Sequence, residues 1–557
     1  MLPGRVQTIV AGASALIKRL CDELGLAEIL DAAVRWDPKQ CKLSPGTRIV
    51  ALVVNALVHR RPLYHVAKFY AKQDVALLFG PEVRAEDFTD DALARALDDL
   101  AEADPKAIFS QVALRAVLRE GMEVETLHAD TTSRSVYGAY EGYPEEPLHI
   151  TRGYSHQRRR DLKQIVFGVI TNAEGFPVHA GVHDGNLADK SWNRQVLESF
   201  ESVLAGRKPG EIIYIADSQL VTPENLELIA QKGVRFISRL PASFGLEREL
   251  REQAWEAWQH GEGWIDVGTL AQRRNAEHYW VWETEARLYD HRYRFVVVRT
   301  SSPNRRQVQS LEREVKAEGE RLAKAARELA RQRFACEPDA QAAWERFVRE
   351  QAPVFHTLQA TLQTETRTRR PVGRPRRDAP PPVAETSWRI QPEILPPSDA
   401  QLAEERDKRA LFVLITNVPA SRRSTVEVLR EYKNQPSVER RFAFLQDPVI
   451  VDGIYLKRPD RAYALAFVFL LALLVAAYLE RRVRHALART QEVLELGEGR
   501  KTSTPTIQTI LDLLRSLQIV LIDTGRHVQR LLPDNTDPQI FKVLRLAGYS
   551  EAIYTQR

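Results

Sequence analysis

Leu127-His128-Ala129-Asp130-Thr131-Thr132 and Tyr214-Ile215-Ala216-Asp217-Ser218 are the two stretches on which the reading of this chain turns. Val124 to Asp130 alternates like a half-buried strand, and Glu211 to Asp217 (EIIYIAD) is the short apolar run of a buried one. Each reaches an aspartate. Adjacent strand ends would bring the two carboxylates to one edge of a sheet, a set of oxygen donors suited to Mg²⁺ or Mn²⁺. A third carboxylate from a nearby helix would let two such ions sit ~3.5–4 Å apart. Either aspartate alone reads more readily as a turn former or helix cap. The functional reading rests on the pair, 87 positions apart (217 minus 130).

The flanks support an α/β fold. Lys163 to Asn172 (KQIVFGVITN) and Phe176 to His183 (FPVHAGVH) are strand-like and joined by the turn Ala173-Glu174-Gly175. A helix is expected near Leu187 to Leu204. Thr222-Pro223-Glu224 opens another with a cap, a first-turn proline and a first-turn acid, and Lys232-Gly233 closes it. Val234 to Ser238 is the next strand. The order predicts a mixed sheet with an antiparallel hairpin edge.

Residues 1 to about 120 read as helices, with Ser44 capping and Pro45 opening one of them. Their basic cluster (His59, Arg60, Arg61, Lys68, Lys72) suits either DNA binding or a solvated face. After Ser238 come strand-like stretches at Trp264 to Leu270, Tyr279 to Tyr289 and Tyr293 to Thr300. Val308, Val315, Leu322 and Leu329 then recur every seven residues, which suggests a long helix or helical hairpin. Thr366 to Pro397 is rich in Pro and Arg and reads as a linker. Ala410 to Val418 returns as a strand, and helices are expected from Ser424 to the end. Ala462 to Leu479 is 18 residues without a charge, long enough for a membrane span but more readily a helix buried on all sides.

Composition sets outer limits. The chain has 557 residues, 44% hydrophobic and 27% charged, with a net charge of +5. That is globular composition with a mild lean toward anionic partners, and it excludes a disordered, collagenous or multi-spanning chain. Three cysteines (Cys21, Cys41, Cys336) are too few and scattered for a zinc cage or a disulfide framework, and they fit a reducing cytoplasm. The apolar run Ile9 to Ile17 is followed by no cleavage site and makes a poor signal peptide.

The third carboxylate is sought after the return strand, in Arg430-Glu431-Tyr432-Lys433-Asn434-Gln435-Pro436-Ser437-Val438-Glu439-Arg440-Arg441-Phe442. Pro436 fits a first helical turn, and Glu439 would sit early in that helix, where the positive dipole end tolerates an acid. Tyr432, Glu439 and Gln446 are seven apart. Glu427, Glu431 and Asp447 compete for the same role.

Taken in order, these blocks resemble a DDE transposase of bacterial insertion sequences, in the group marked by a Tyr-x2-Arg-x3-Glu-x6-Lys signature. The matching positions are Tyr432, Gln435, Glu439 and Gln446. Also similar are LHADTTSRSVYGAYE (Leu127 to Glu141), GYSHQRRRDLKQIVFGVITNAEGFPV (Gly153 to Val178) with HDGNLADK behind it, and YIADSQLVTPENLELI (Tyr214 to Ile229). The resemblance implies an α/β ribonuclease-H-like core, a mixed sheet with helices, carrying a β-rich and helical insertion. Asp130, Asp217 and Glu439 would be the catalytic residues and the ligands of two Mg²⁺ (or Mn²⁺) ions. The gap of 222 between Asp217 and Glu439 (439 minus 217) matches the family's insertion. Gln435 stands where the family has Arg and Gln446 where it has Lys, which removes charge from expected phosphate contacts. Lys433, Arg440 or Arg441 would have to compensate.

Two basic stretches add DNA contacts to the expectation. Arg374 and Arg376 lie in an arginine-rich run around Gly373-Arg374-Pro375 that resembles an AT-hook, a minor-groove reader, or else is a solvated linker. Arg158, Arg159 and Arg160, with Arg152 and Lys163, would hold a phosphate backbone or form an exposed hairpin loop. His128 lies on the face of Asp130 two residues earlier and reads as a supporting or core residue.

The expected organisation is a helical region 1–120, probable seat of DNA binding only by its charge; a first catalytic part 121–241; an insertion 242–419 with the linker 366–397; a second catalytic part 420–490; and a helical C-terminal region 491–557. The expected function is Mg²⁺-dependent strand cleavage at insertion-sequence ends and strand transfer into target DNA. The alternative is a catalytically impaired DNA-binding protein on a nuclease-like fold. Expected partners are double-stranded DNA, both terminal inverted repeats and target, and a second copy of the chain when ends are paired. No membrane is expected, and the location would be the bacterial cytoplasm, at the nucleoid.

Overall fold

In the computed structural model the described residues are 5–141, 147–155, 159, 161–200, 207–270, 276–301, 305–368, 384–434, 441–445, 456–497, 499–525 and 527–556. They divide into two compact units: Met1–Pro241 with Ala286–Arg294 and Ile415–Arg557, and Ala242–Glu285 with Phe295–Leu414.

The first unit is built on a mixed sheet. A short strand β1 (Arg5–Val10) precedes the helices, and the sheet itself begins with β2 (Thr126–Val136), β3 (Lys163–Asn172) and β4 (Pro177–His183). These three pair antiparallel, with Gly175 at φ 76° turning β3 into β4 as the sequence suggests. β5 (Ile213–Ile215) and β6 (Arg235–Arg239) join parallel, giving the order β4-β3-β2-β5-β6. Ile415 onward docks on β6: Thr416 Oγ1 donates to the Phe236 carbonyl at 2.6 Å and Asn417 Nδ2 to that of Val234 at 2.8 Å. The helix Pro223–Lys232 between β5 and β6 is capped by the Thr222 hydroxyl, which accepts from Asn225 N at 3.2 Å, and ends at Gly233 with φ 67°. Capping chemistry and chain reversal were both legible in the residues.

The apolar run at Ala462 to Leu479 lies in the 32-residue helix Pro459–Thr490. Its most apolar window is 94% buried, against the helices Pro45–Val58, Asp90–Glu102 and Pro105–Glu120 and against β4. It is long and apolar enough to cross a membrane, yet this packing makes it the core helix of the unit. Its charged end is held by carboxylates. Arg482 pairs with Glu23 and Glu120, and Tyr549 and Arg119 also donate to Glu23. Glu480, 5% exposed, pairs with Arg441 and accepts from Ile507 N at 2.8 Å.

Three stretches differ from the sequence reading. β2 does not stop at Asp130 but runs six residues further, to Val136. The N- and C-terminal regions are not wholly helical, because β1 pairs antiparallel with Gln518–Asp523, which pairs with Val528–Leu531. Neither strand carries its partner nearby, so local pattern could not reveal the pairing. The stretch Thr366 to Pro397 is not all linker: Thr357–Thr368 and Ala384–Leu395 form an antiparallel ladder. Their polar, Thr- and Glu-rich alternation hid a two-sided exposed hairpin.

That hairpin belongs to the second unit, where the heptad run is the helix Arg305–Leu329, followed by Glu337–Gln351. Ala326, Leu329, Ala340, Phe347 and Ile390 make their common core. Glu318 accepts the backbone N–H groups of Val354, Phe355 and His356 at 2.6, 2.8 and 3.0 Å, which fixes the entry to the hairpin.

Burial opposes the charge on Glu23, but hydrogen bonds from Arg482 and Tyr549 and the Arg482 charge outweigh it and hold the carboxyl below its ordinary value. A depressed acid contributes stability above its unfolded pKa and loses it as pH falls. Glu23→Ala is therefore expected to cost about 3 kcal/mol at pH 7, since it strands Arg482. In urea unfolding the gap to the parent should narrow below about pH 4.

Candidate active site

The register of β2 and β5 builds the site. Thr126 pairs with Ile213, Leu127 with Tyr214 and His128 with Ile215. Two residues further on each strand, the same register sets Asp130 opposite Asp217. Neighbouring strands lie about 4.8 Å apart, so the two carboxylates arise from adjacent backbone positions. β5 stops at Ile215 while β2 continues, which leaves the pair at a step in the sheet. Along β2 only Asp130 is not buried.

Asp217 is fixed at the step. Its backbone is extended, its carbonyl accepts from Ser238 Oγ at 2.7 Å, and its Oδ1 accepts from Gln219 N at 3.0 Å. Burial, then the charge of Asp189, push its carboxyl up to about 6, against a small lowering by the Gln219 N–H. No cation is among the groups that set its charge. Asp130 Oδ1 accepts from Thr131 N at 2.8 Å. His128 is fully buried, and burial pulls its imidazole down to about 4. Neither of its ring nitrogens has a partner among the described residues, which suits the core reading of that histidine.

Asp189 was not singled out in the sequence. It opens the helix Asp189–Glu198 and accepts the hydroxyl of Thr131, the neighbour of Asp130. Its one signal was its place in the block HDGNLADK. Among the described residues no three His, Cys, Asp or Glu side chains form a metal-holding group, so Asp130, Asp189 and Asp217 do not suffice by themselves.

Glu439, Gln435, Arg440 and Gln446 lie outside the described residues, as do Arg158, Arg160, Arg374 and Arg376. Tyr432 and Lys433, both half-buried, end the helix Thr425–Lys433. On either side of the undescribed 435–440, Asn434 Nδ2 donates to the Ala173 carbonyl and Arg441 Nε to that of Gly175, each at 2.7 Å. Glu431 is hydrogen-bonded to Thr126 at the start of β2, and burial pushes its carboxyl up. Arg159 is exposed and paired with Asp161 at 2.7 Å. The strand that follows it begins at Lys163, opposite Val136, which is six residues and about 20 Å along β2 from Asp130.

The family model of the transposase DDE domain matches residues 130–475, more than half of the chain, starting at Asp130. The chain belongs to the DDE transposases. Residues 7–114 match a domain of unknown function (DUF4277). No curated protein matches the chain. Among solved structures, a cryo-EM structure of a piggyBac transposase synaptic complex with hairpin DNA is similar over 91% of this chain and 80% of that one, at 9% identity and a TM-score of 0.34. Within this family the buried, cation-free Asp217 beside a second acid is a donor set that a divalent ion would neutralise.

Removing one of these repelling carboxylates should stabilise the metal-free protein. Asp217→Asn is expected to raise stability by about 1–2 kcal/mol in EDTA. Mg²⁺ should then raise the melting temperature of the parent and leave that of the variant unchanged.

Proposed function

We propose that this transposase cleaves DNA strands at the ends of a bacterial insertion sequence and joins the freed 3′ ends to target DNA, using Asp130, Asp217 and Glu439 with two Mg²⁺ or Mn²⁺ ions. The observation that carries the reading is the parallel register that sets Asp130 opposite Asp217. Glu439 is supported as the third acid by where its segment begins. Glu431 is bonded to Thr126, four residues and about 13 Å along β2 from Asp130.

Bound there, divalent ions would supply Lewis acidity and neutralise charge on the phosphodiester. The chain supplies position. Asp130 and Asp217 hold carboxylate oxygens fixed at the step where β5 ends, and the buried sheet behind them resists displacement. Tyr432, Lys433, Gln435, Arg440 and Gln446 would contact phosphate beside the acids. Arg158, Arg159 and Arg160 would hold the duplex further along β2, with Arg159 exchanging Asp161 for phosphate. Arg374 and Arg376 would enter a minor groove. Pairing two DNA ends calls for a dimer in action, and the work would be done in the bacterial cytoplasm, at the nucleoid.

A second reading, a DNA-binding protein with impaired catalysis, is favoured by Gln435 and Gln446, which carry no charge where the family signature has cations. Mg²⁺ titration separates the two, since a catalyst needs the ion for turnover and a binder does not.

Asp130→Ala and Glu439→Ala are each expected to lower cleavage of an end-bearing duplex by on the order of 10³-fold or more while leaving end binding intact. Normal cleavage by Asp130→Ala would refute the assignment. Normal cleavage by Glu439→Ala alone would move the third role to another acid.

A further inference from the structure

The first turn of the helix Asp189–Glu198 is fastened to both strands that lead to the aspartates. Thr131, 5% exposed on β2, donates its hydroxyl to Asp189 Oδ1. One turn later Asn193 Nδ2 donates to the Asp189 carbonyl at 3.0 Å. Asn193 Oδ1 accepts from the hydroxyl of Tyr214 on β5 at 2.8 Å. Asn225 Nδ2 adds a bond to the Lys190 carbonyl at 3.3 Å. Asn193, Tyr214 and Asn225 are almost wholly enclosed.

Side chains alternate along a strand, so Thr131 points away from the face that Asp130 uses. Asp189 thus grips β2 from behind Asp130, and its helix is tied to β5 three residues before Asp217. An asparagine at 189 would give Thr131 the same acceptor without repelling Asp217. The hydrogen bond alone does not account for a charge there, because a second carboxylate beside a buried one opposes ionisation of both. A divalent cation between the acids reverses that sign.

We infer that Asp189 is a positioning residue of the site: through Thr131 it fixes the strand that aims Asp130, and its charge beside Asp217 strengthens the hold of the pair on a divalent cation. This rests on the proposed reading of the site and adds to it a residue outside the expected three.

The test measures Mn²⁺ binding to the full chain by electron paramagnetic resonance, with thermal unfolding in EDTA alongside. Asp189→Asn should weaken Mn²⁺ affinity by about tenfold or more, with a melting temperature at or above that of the parent. Thr131→Val should weaken it less, and Thr131→Ser, which keeps the hydroxyl, should restore it. Parent-like Mn²⁺ affinity in Asp189→Asn would overturn the inference. Asp130→Asn is the control. If it abolishes Mn²⁺ binding while Asp189→Asn does not, the role of Asp189 alone falls. If neither changes binding, the reading of the site falls with it.

Discussion

The parallel pairing of β2 with β5 is the constraint on which the rest depends. Three residue pairs, Thr126–Ile213 to His128–Ile215, fix the register. A slip by one residue would turn Asp217 to the opposite face from Asp130 and dissolve the site. The pairing is short, so its neighbours must hold it. β3 pairs with β2 along ten residues on one side, and β6 pairs with β5 on the other. Ile213, Tyr214 and Ile215 are fully buried, which makes any other register expensive.

The same constraint explains the charge pattern. Most acids of the first unit are matched to arginines: Glu23 and Glu120 to Arg482, Glu480 to Arg441, Asp98 to Arg461. Asp217 departs from that habit, because what acts on it is burial and a second acid. A fold that spends arginines freely on its structural carboxylates and leaves this one to a like charge is holding a place for a cation from outside. The core helix Pro459–Thr490 shows the contrast within one element, apolar where it is enclosed and paired with acids where it emerges.

Much of this was legible in the residues. Both aspartates, the Ala173–Gly175 turn, the cap at Thr222 and the buried helix at Ala462 to Leu479 follow from local pattern, because burial period and capping are short-range properties. What escaped depends on distant partners. β1 finds its mate at Gln518–Asp523, and the ladder Thr357–Thr368 with Ala384–Leu395 is polar on both faces, so neither announces itself. The run of β2 past Asp130 was missed because Thr131 to Ser135 are polar, yet all are buried. Asp189 was missed for a related reason, since nothing in a lone acid at a helix start distinguishes a cap from a residue that bonds a threonine 58 positions away.

The most direct measurement is the position of Mn²⁺, by its anomalous scattering, in crystals of the protein bound to a DNA end. The account predicts a peak within about 2.2 Å of carboxylate oxygens from both Asp130 and Asp217. Manganese held elsewhere, with those two carboxylates unligated beside the DNA, would contradict it.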